Sequence, residues 1–94
     1  MGINSVNKIL VVDDNEIVRK QFQVILELDD FQNIFSLIEA EDGLAGFEKF
    51  SSDPEIKIII TDIFMPKLTG IQMLEKIKLE QAQRLIHTKV FILS

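Results

Sequence analysis

Ile58-Ile59-Ile60-Thr61-Asp62-Ile63-Phe64-Met65-Pro66 decides the fold of this chain. Consecutive β-branched apolar residues suit a strand buried on both faces of a parallel sheet, where no polar alternation is needed. The strand is expected over Ile56 to Thr61 and stops on an acid, Asp62. A loop from Phe64 to Gly70 follows, and Ile71, Leu74 and Ile77 then open a helix expected to run to about Leu85. The same order of strand, acid, loop and helix stands earlier in the chain. Ile9-Leu10-Val11-Val12 ends in Asp13-Asp14-Asn15, and Val18, Phe22 and Ile25, with Ile17, Val24 and Leu28 alongside, give a helix with a broad apolar face.

Outward from these two units, Asp29-Asp30 reads as an ordinary exposed loop and Ile34 to Glu39 as a second strand. Asp42-Gly43 marks a turn, and Leu44, Phe47 and Phe50 share one face of a short helix. Ser51-Ser52-Asp53-Pro54 breaks it. Val90-Phe91-Ile92-Leu93 is a fourth strand, followed by Ser94. The order β-α-β-α-β-α-β predicts an α/β fold, with right-handed crossovers and a parallel sheet covered on both faces. Residues 1–94 are expected to form one domain.

Composition narrows the function. The absence of cysteine excludes disulfides, thiolate metal sites and thiol catalysis. No apolar run approaches the roughly 20 residues of a membrane span. The segment Met1 to Val6 is too polar and short for a signal peptide, and Val6 breaks the myristoylation pattern, so a cytoplasmic location is expected. The net charge is −5 and no Lys/Arg cluster stands out, which argues against direct nucleic-acid binding.

Ligands of open parallel sheets bind beyond the carboxyl ends of the strands. Asp13 and Asp14, Asp62 and Ser94 all fall at such ends. If the first and third strands are neighbours, three carboxylates converge. Two unit charges ~4 Å apart repel by about 4 kcal/mol at an effective dielectric of about 20. A cation or a proton must relieve that, and hard carboxylate oxygens suit Mg²⁺. A carboxylate beside Mg²⁺ can attack a phosphoryl group and form an aspartyl phosphate. Each acid alone reads equally well as a turn former or helix cap. Two apolar strands that both end in Asp before a helix make the stronger pattern.

These residues resemble the CheY-like receiver family of response regulators. Val11-Val12-Asp13-Asp14-Asn15-Glu16-Ile17-Val18-Arg19 is similar to its first signature, and Glu39-Ala40-Glu41-Asp42-Gly43 to its second-strand exit. Thr61-Asp62-Ile63-Phe64-Met65-Pro66-Lys67-Leu68-Thr69-Gly70 matches its phosphorylation segment, D-x-x-M-P-x-x-x-G. The resemblance implies a flavodoxin-like doubly wound sheet of strand order 2-1-3-4. It implies Asp62 as phosphoacceptor and Asp13, Asp14, Asp62 and the Phe64 backbone carbonyl as Mg²⁺ ligands. Ser94 would be the switch hydroxyl, and Met65-Pro66 and Gly70 would shape the loop after the acceptor. The implied partner is a sensor histidine kinase or phosphotransfer protein. His87 is expected to be a solvated loop residue.

The family pattern is incomplete in this sequence. No residue matches its lysine after a fifth strand, and the fourth helix, fifth strand and fifth helix have no counterpart. The expectations are therefore weak Mg²⁺ binding, slow or absent phosphate uptake, and self-association through the apolar edge of the fourth strand. Two other functions compete with this one. A haloacid-dehalogenase-type Mg²⁺ phosphohydrolase wants a second Asp where Asn15 stands. An interaction module that keeps the fold without phosphorylation fits the missing lysine but not the three intact acids.

Overall fold

The computed structural model describes residues 7–28, 35–65, 67–84 and 88–93. Seven elements follow one another: β1 (Asn7–Val12), α1 (Glu16–Leu28), β2 (Phe35–Ala40), α2 (Gly43–Ser52), β3 (Ile56–Asp62), α3 (Gly70–Arg84) and β4 (Lys89–Leu93). The four strands form one sheet in the order β2-β1-β3-β4, every pair parallel. This is the α/β parallel sheet expected from the strand and helix order, with the flavodoxin-like strand order 2-1-3-4 that the family resemblance implies.

Register explains where the strands begin and end. β1 and β2 pair rung for rung from Asn7↔Phe35 to Val12↔Ala40, and Asp13 N–H extends the ladder to the Ala40 carbonyl at 3.0 Å. The second strand therefore reaches Ala40, one residue past the predicted Glu39; Ile34 lies outside the described residues. β3 also runs one residue further than expected, because Asp62 pairs with Leu93 of β4. A register shift at Lys8/Ile9 lets β3 fit one extra residue against β1, so Ile9, Leu10, Val11 and Val12 face Ile58, Ile59, Ile60 and Thr61.

Local chemistry starts the helices. Asn15 Oδ1 accepts the Ile17 N–H at 2.9 Å, and Asp42 Oδ1 accepts the Ala45 N–H at 2.8 Å. Both are capping contacts that satisfy helix donors with no carbonyl partner of their own. Thr69 and Gln72 form a reciprocal capping box, with Gln72 N–H on Thr69 Oγ1 at 3.2 Å and Thr69 N–H on Gln72 Oε1 at 3.0 Å. That box sets the start of α3 at Gly70 rather than Ile71. The far end of α3 is described to Arg84; Leu85 lies outside the described residues.

The two faces of the sheet are covered unequally. Leu10, Val12, Ile59, Phe50, Met65, Met73 and Ile77 make a buried cluster on the side of α2 and α3. On the opposite face α1 has no fully buried residue, and Ile17, Val24, Ile25 and Leu28 of its apolar side remain exposed. An apolar slot of about 240 Å³ lies there, lined by Ile9, Phe22, Ile25, Leu26, Phe35, Leu37 and Ile60. The amphipathic pattern of α1 was correct, but its burial is only partial.

Candidate functional site

β1 and β3 are neighbours, so the residues that follow their last rungs meet. Asp13 and Asp14 leave β1 directly after Val12, whose partner across the ladder is Thr61, the residue before Asp62. One carboxylate oxygen from each of Asp13, Asp14 and Asp62 can be chosen so that all three lie within 4.8 Å of one another. The three acids differ in exposure: Asp13 is buried, Asp62 half-buried and Asp14 exposed.

Backbone donors steer two of the carboxylates. Asn15 N–H donates to Asp13 Oδ1 at 2.9 Å, and Ile63 N–H donates to Asp62 Oδ1 at 2.7 Å. Burial pushes the Asp13 carboxyl above the ordinary carboxylate range, and the charges of Asp62 and Asp14 push the same way. The Asn15 N–H opposes that shift without cancelling it. The cluster thus stores like-charge repulsion that a cation would relieve. Its all-oxygen donor set has the chemistry of a hard divalent ion such as Mg²⁺ rather than a soft one.

The loop after Asp62 is packed tightly. Gly70 N–H bonds the Ile63 carbonyl at 2.8 Å, and a Cβ at Gly70 would lie 2.1 Å from the Asp62 carbonyl oxygen. Gly43 N–H, at the start of α2, bonds the Leu68 carbonyl at 3.0 Å. Lys67, in the left-handed region at φ 70°, brings Nζ to 3.6 Å from the buried Asp42 carboxylate. Met65 is a core residue as well as a loop residue. Gly70 and Met65 therefore do shape this loop. Phe64 carries a 79% exposed side chain beside it. Pro66, Ser94, His87 and the expected loop at Asp29-Asp30 lie outside the described residues.

Sequence reasoning missed the polar groups behind the acids. Arg19 bonds Glu39, and Lys49 bonds the Glu39 backbone carbonyl. Together with Ala40, Glu41 and Ala45 they line a cleft of about 260 Å³. Asp42 and Lys67 were read as turn and loop residues, whereas they join α2 to the loop after Asp62. Among the described residues, no helix is long and apolar enough to cross a membrane.

Residues 9–94 match the model of the response regulator receiver domain. The two-component response regulator ORR5 of Oryza sativa is 33% identical over 86 residues, covering 92% of this chain and 60% of that protein. Among solved structures, the N-terminal domain of a Wolinella succinogenes protein superposes with a TM-score of 0.78 at 32% identity, covering 95% of this chain and 64% of that one. The CheX–CheY–BeF3–Mg²⁺ complex of Borrelia burgdorferi superposes at 0.75 with 30% identity, covering 92% and 60%. The chain spans between 32% and 60% of the length of the first curated relatives it matches.

Proposed function

Because the chain belongs to the response regulator receiver family, we propose that it is the phosphoacceptor part of a two-component response regulator, taking a phosphoryl group on Asp62. The donor would be a sensor histidine kinase or phosphotransfer protein, and a cytoplasmic location goes with that donor. The observation that carries the proposal is the approach of three carboxylates from β1 and β3 at the carboxyl end of a parallel sheet, with ligand atoms within 4.8 Å.

In this reading Asp13, Asp14 and Asp62 hold Mg²⁺, with the Phe64 backbone carbonyl as a further donor. When bound, the ion supplies positive charge that offsets the repulsion between incoming phosphoryl oxygens and the acids. Asp62 provides the nucleophile. A carboxylate oxygen attacks phosphorus, the bond from phosphorus to the donor's imidazole nitrogen breaks, and an aspartyl phosphate is left. The N–H of Ile63 holds the carboxylate plane, and Gly70 lets the loop backbone close against the Asp62 carbonyl. Ser94 is assigned the hydroxyl that bonds the transferred group. The chemistry is a signalling modification of the chain itself, not metabolic turnover.

The test is prolonged incubation with an acyl phosphate, with and without Mg²⁺, read by intact mass and by reductive trapping of the acyl phosphate. One phosphoryl adduct at Asp62 is expected, dependent on Mg²⁺ and absent from Asp62→Asn. A folded chain that never gains the adduct would instead be an interaction module that keeps the receiver fold. An adduct that persists in Asp62→Asn would move the acceptor elsewhere.

A further inference from the structure

Arg19 lies one turn into α1 and uses its guanidinium twice. Nε donates to Glu39 Oε1 on β2 at 3.0 Å, and Nη1 donates to the backbone carbonyl of Asp13 at 2.6 Å. The arginine side chain is only 15% exposed. Glu39 is itself tethered, since its backbone carbonyl accepts from Lys49 of α2. The short connection from Asp13 to Asn15 is thus held on two sides. Asp13 N–H is bound to Ala40, and the Asp13 carbonyl is bound to Arg19.

We infer that Arg19, oriented by Glu39, is a positioning residue that keeps Asp13 and Asp14 turned toward Asp62. The inference rests on the divalent-ion reading proposed above. Three converging carboxylates repel, and a three-residue connection has little of its own to resist that force. A peptide unit is planar, so fixing the Asp13 carbonyl also fixes where the Asp14 Cα stands. The Asn15 N–H fixes the Asp13 carboxylate. The Asp13 carboxylate and the Asp14 backbone are therefore in place before any cation arrives. Two acceptors lying in different directions suit the rigid fork of arginine, which a lysine ammonium does not reproduce. The competing explanation is a plain staple that joins α1 to β2 and contributes only stability.

The experiment measures Mn²⁺ binding to the full chain by the paramagnetic resonance signal of the free ion, on variants shown to be folded by circular dichroism. Arg19→Ala is expected to weaken binding about tenfold, the size typical of residues that orient metal ligands. Arg19→Lys should recover little of that loss, and Glu39→Gln should lose a smaller factor. Lys8→Met is the control: it breaks the 2.7 Å ion pair to Asp53 at the opposite end of β1, and it should lower the melting temperature with Mn²⁺ affinity unchanged. Unchanged affinity in Arg19→Ala, or in Arg19→Lys should the alanine variant not fold, overturns the inference. So does an equal loss in Lys8→Met. Failure of the unaltered chain to bind Mn²⁺ would overturn the divalent-ion reading and this inference together, whereas the Arg19 outcomes leave that reading standing.

Discussion

Asp13 is a buried acid set against two others. It is 7% exposed, and burial together with the neighbouring acids raises its proton affinity. Between its ordinary value of 3.8 and its raised native value, the folded chain binds more protons than the unfolded chain. Stability therefore falls as pH rises through that window and stays reduced above it. Asp13→Asn keeps an acceptor for the Asn15 N–H and removes the charge. In buffer with chelator, the variant should melt several degrees above the parent near neutral pH. The advantage should shrink as pH falls and vanish below the unfolded value. Thermal melts from about pH 3 to about pH 7 test this. Asp53 titrates in the opposite sense. Its hydrogen bond to Lys8 lowers its proton affinity, so its contribution is present at neutral pH and lost on acidification. A parent chain as stable as Asp13→Asn at pH 7 would show that the acids are not strained together. Added Mg²⁺ should close the gap, because an ion that binds only the folded parent stabilises it alone.

At the scale of elements, α2 and the loop after β3 act as one unit through Gly43. A Cβ at that position would lie 2.0 Å from the Leu68 carbonyl oxygen, which is backbone and cannot swing aside. Helix propensity favours alanine over glycine by about 1 kcal/mol, but the collision also removes the Gly43–Leu68 hydrogen bond. The collision wins, and Gly43→Ala should lose about 1–3 kcal/mol in urea unfolding. Thr69→Ala, which removes one half of the capping box, should lose about 1 kcal/mol. Gly43→Ala should in addition slow phosphoryl uptake, because the displaced loop leads back to Asp62; Thr69→Ala should not. Part of this was readable in the sequence. The β-branched runs and the acids that end them were enough to place the strands and to single out Asp13, Asp14 and Asp62; the order 2-1-3-4 that brings the three acids together came from the family resemblance. The Thr69-x-x-Gln72 spacing is legible too, and it starts the helix one residue ahead of its first apolar residue, Ile71. The Arg19–Glu39 pair was not readable. Its members stand 20 residues apart, and only the packing of α1 against β2 brings them together. Nor does any spacing rule link Asp42 to Lys67, whose approach depends on a left-handed backbone at one residue.

For the whole molecule, the unequal cover of the two sheet faces matters most. The face under α2 and α3 is closed around Met73 and Ile77, whereas the face under α1 continues into exposed apolar surface. Phe91 of β4 stands beside Ile60 on that open face and is 54% exposed. Ile92, on the other face, is 42% exposed. The consequence lies in local stability. Elements with few buried apolar side chains open at a lower free energy than those packed in the core. The backbone amides of α1, which has no buried residue, should therefore exchange with deuterium faster than those of α3 around Met73 and Ile77, which are fully buried. Native-state hydrogen exchange read by peptide mass spectrometry checks this. Protection of α1 equal to that of α3 would show that the partial cover leaves the helix as stable as the closed face.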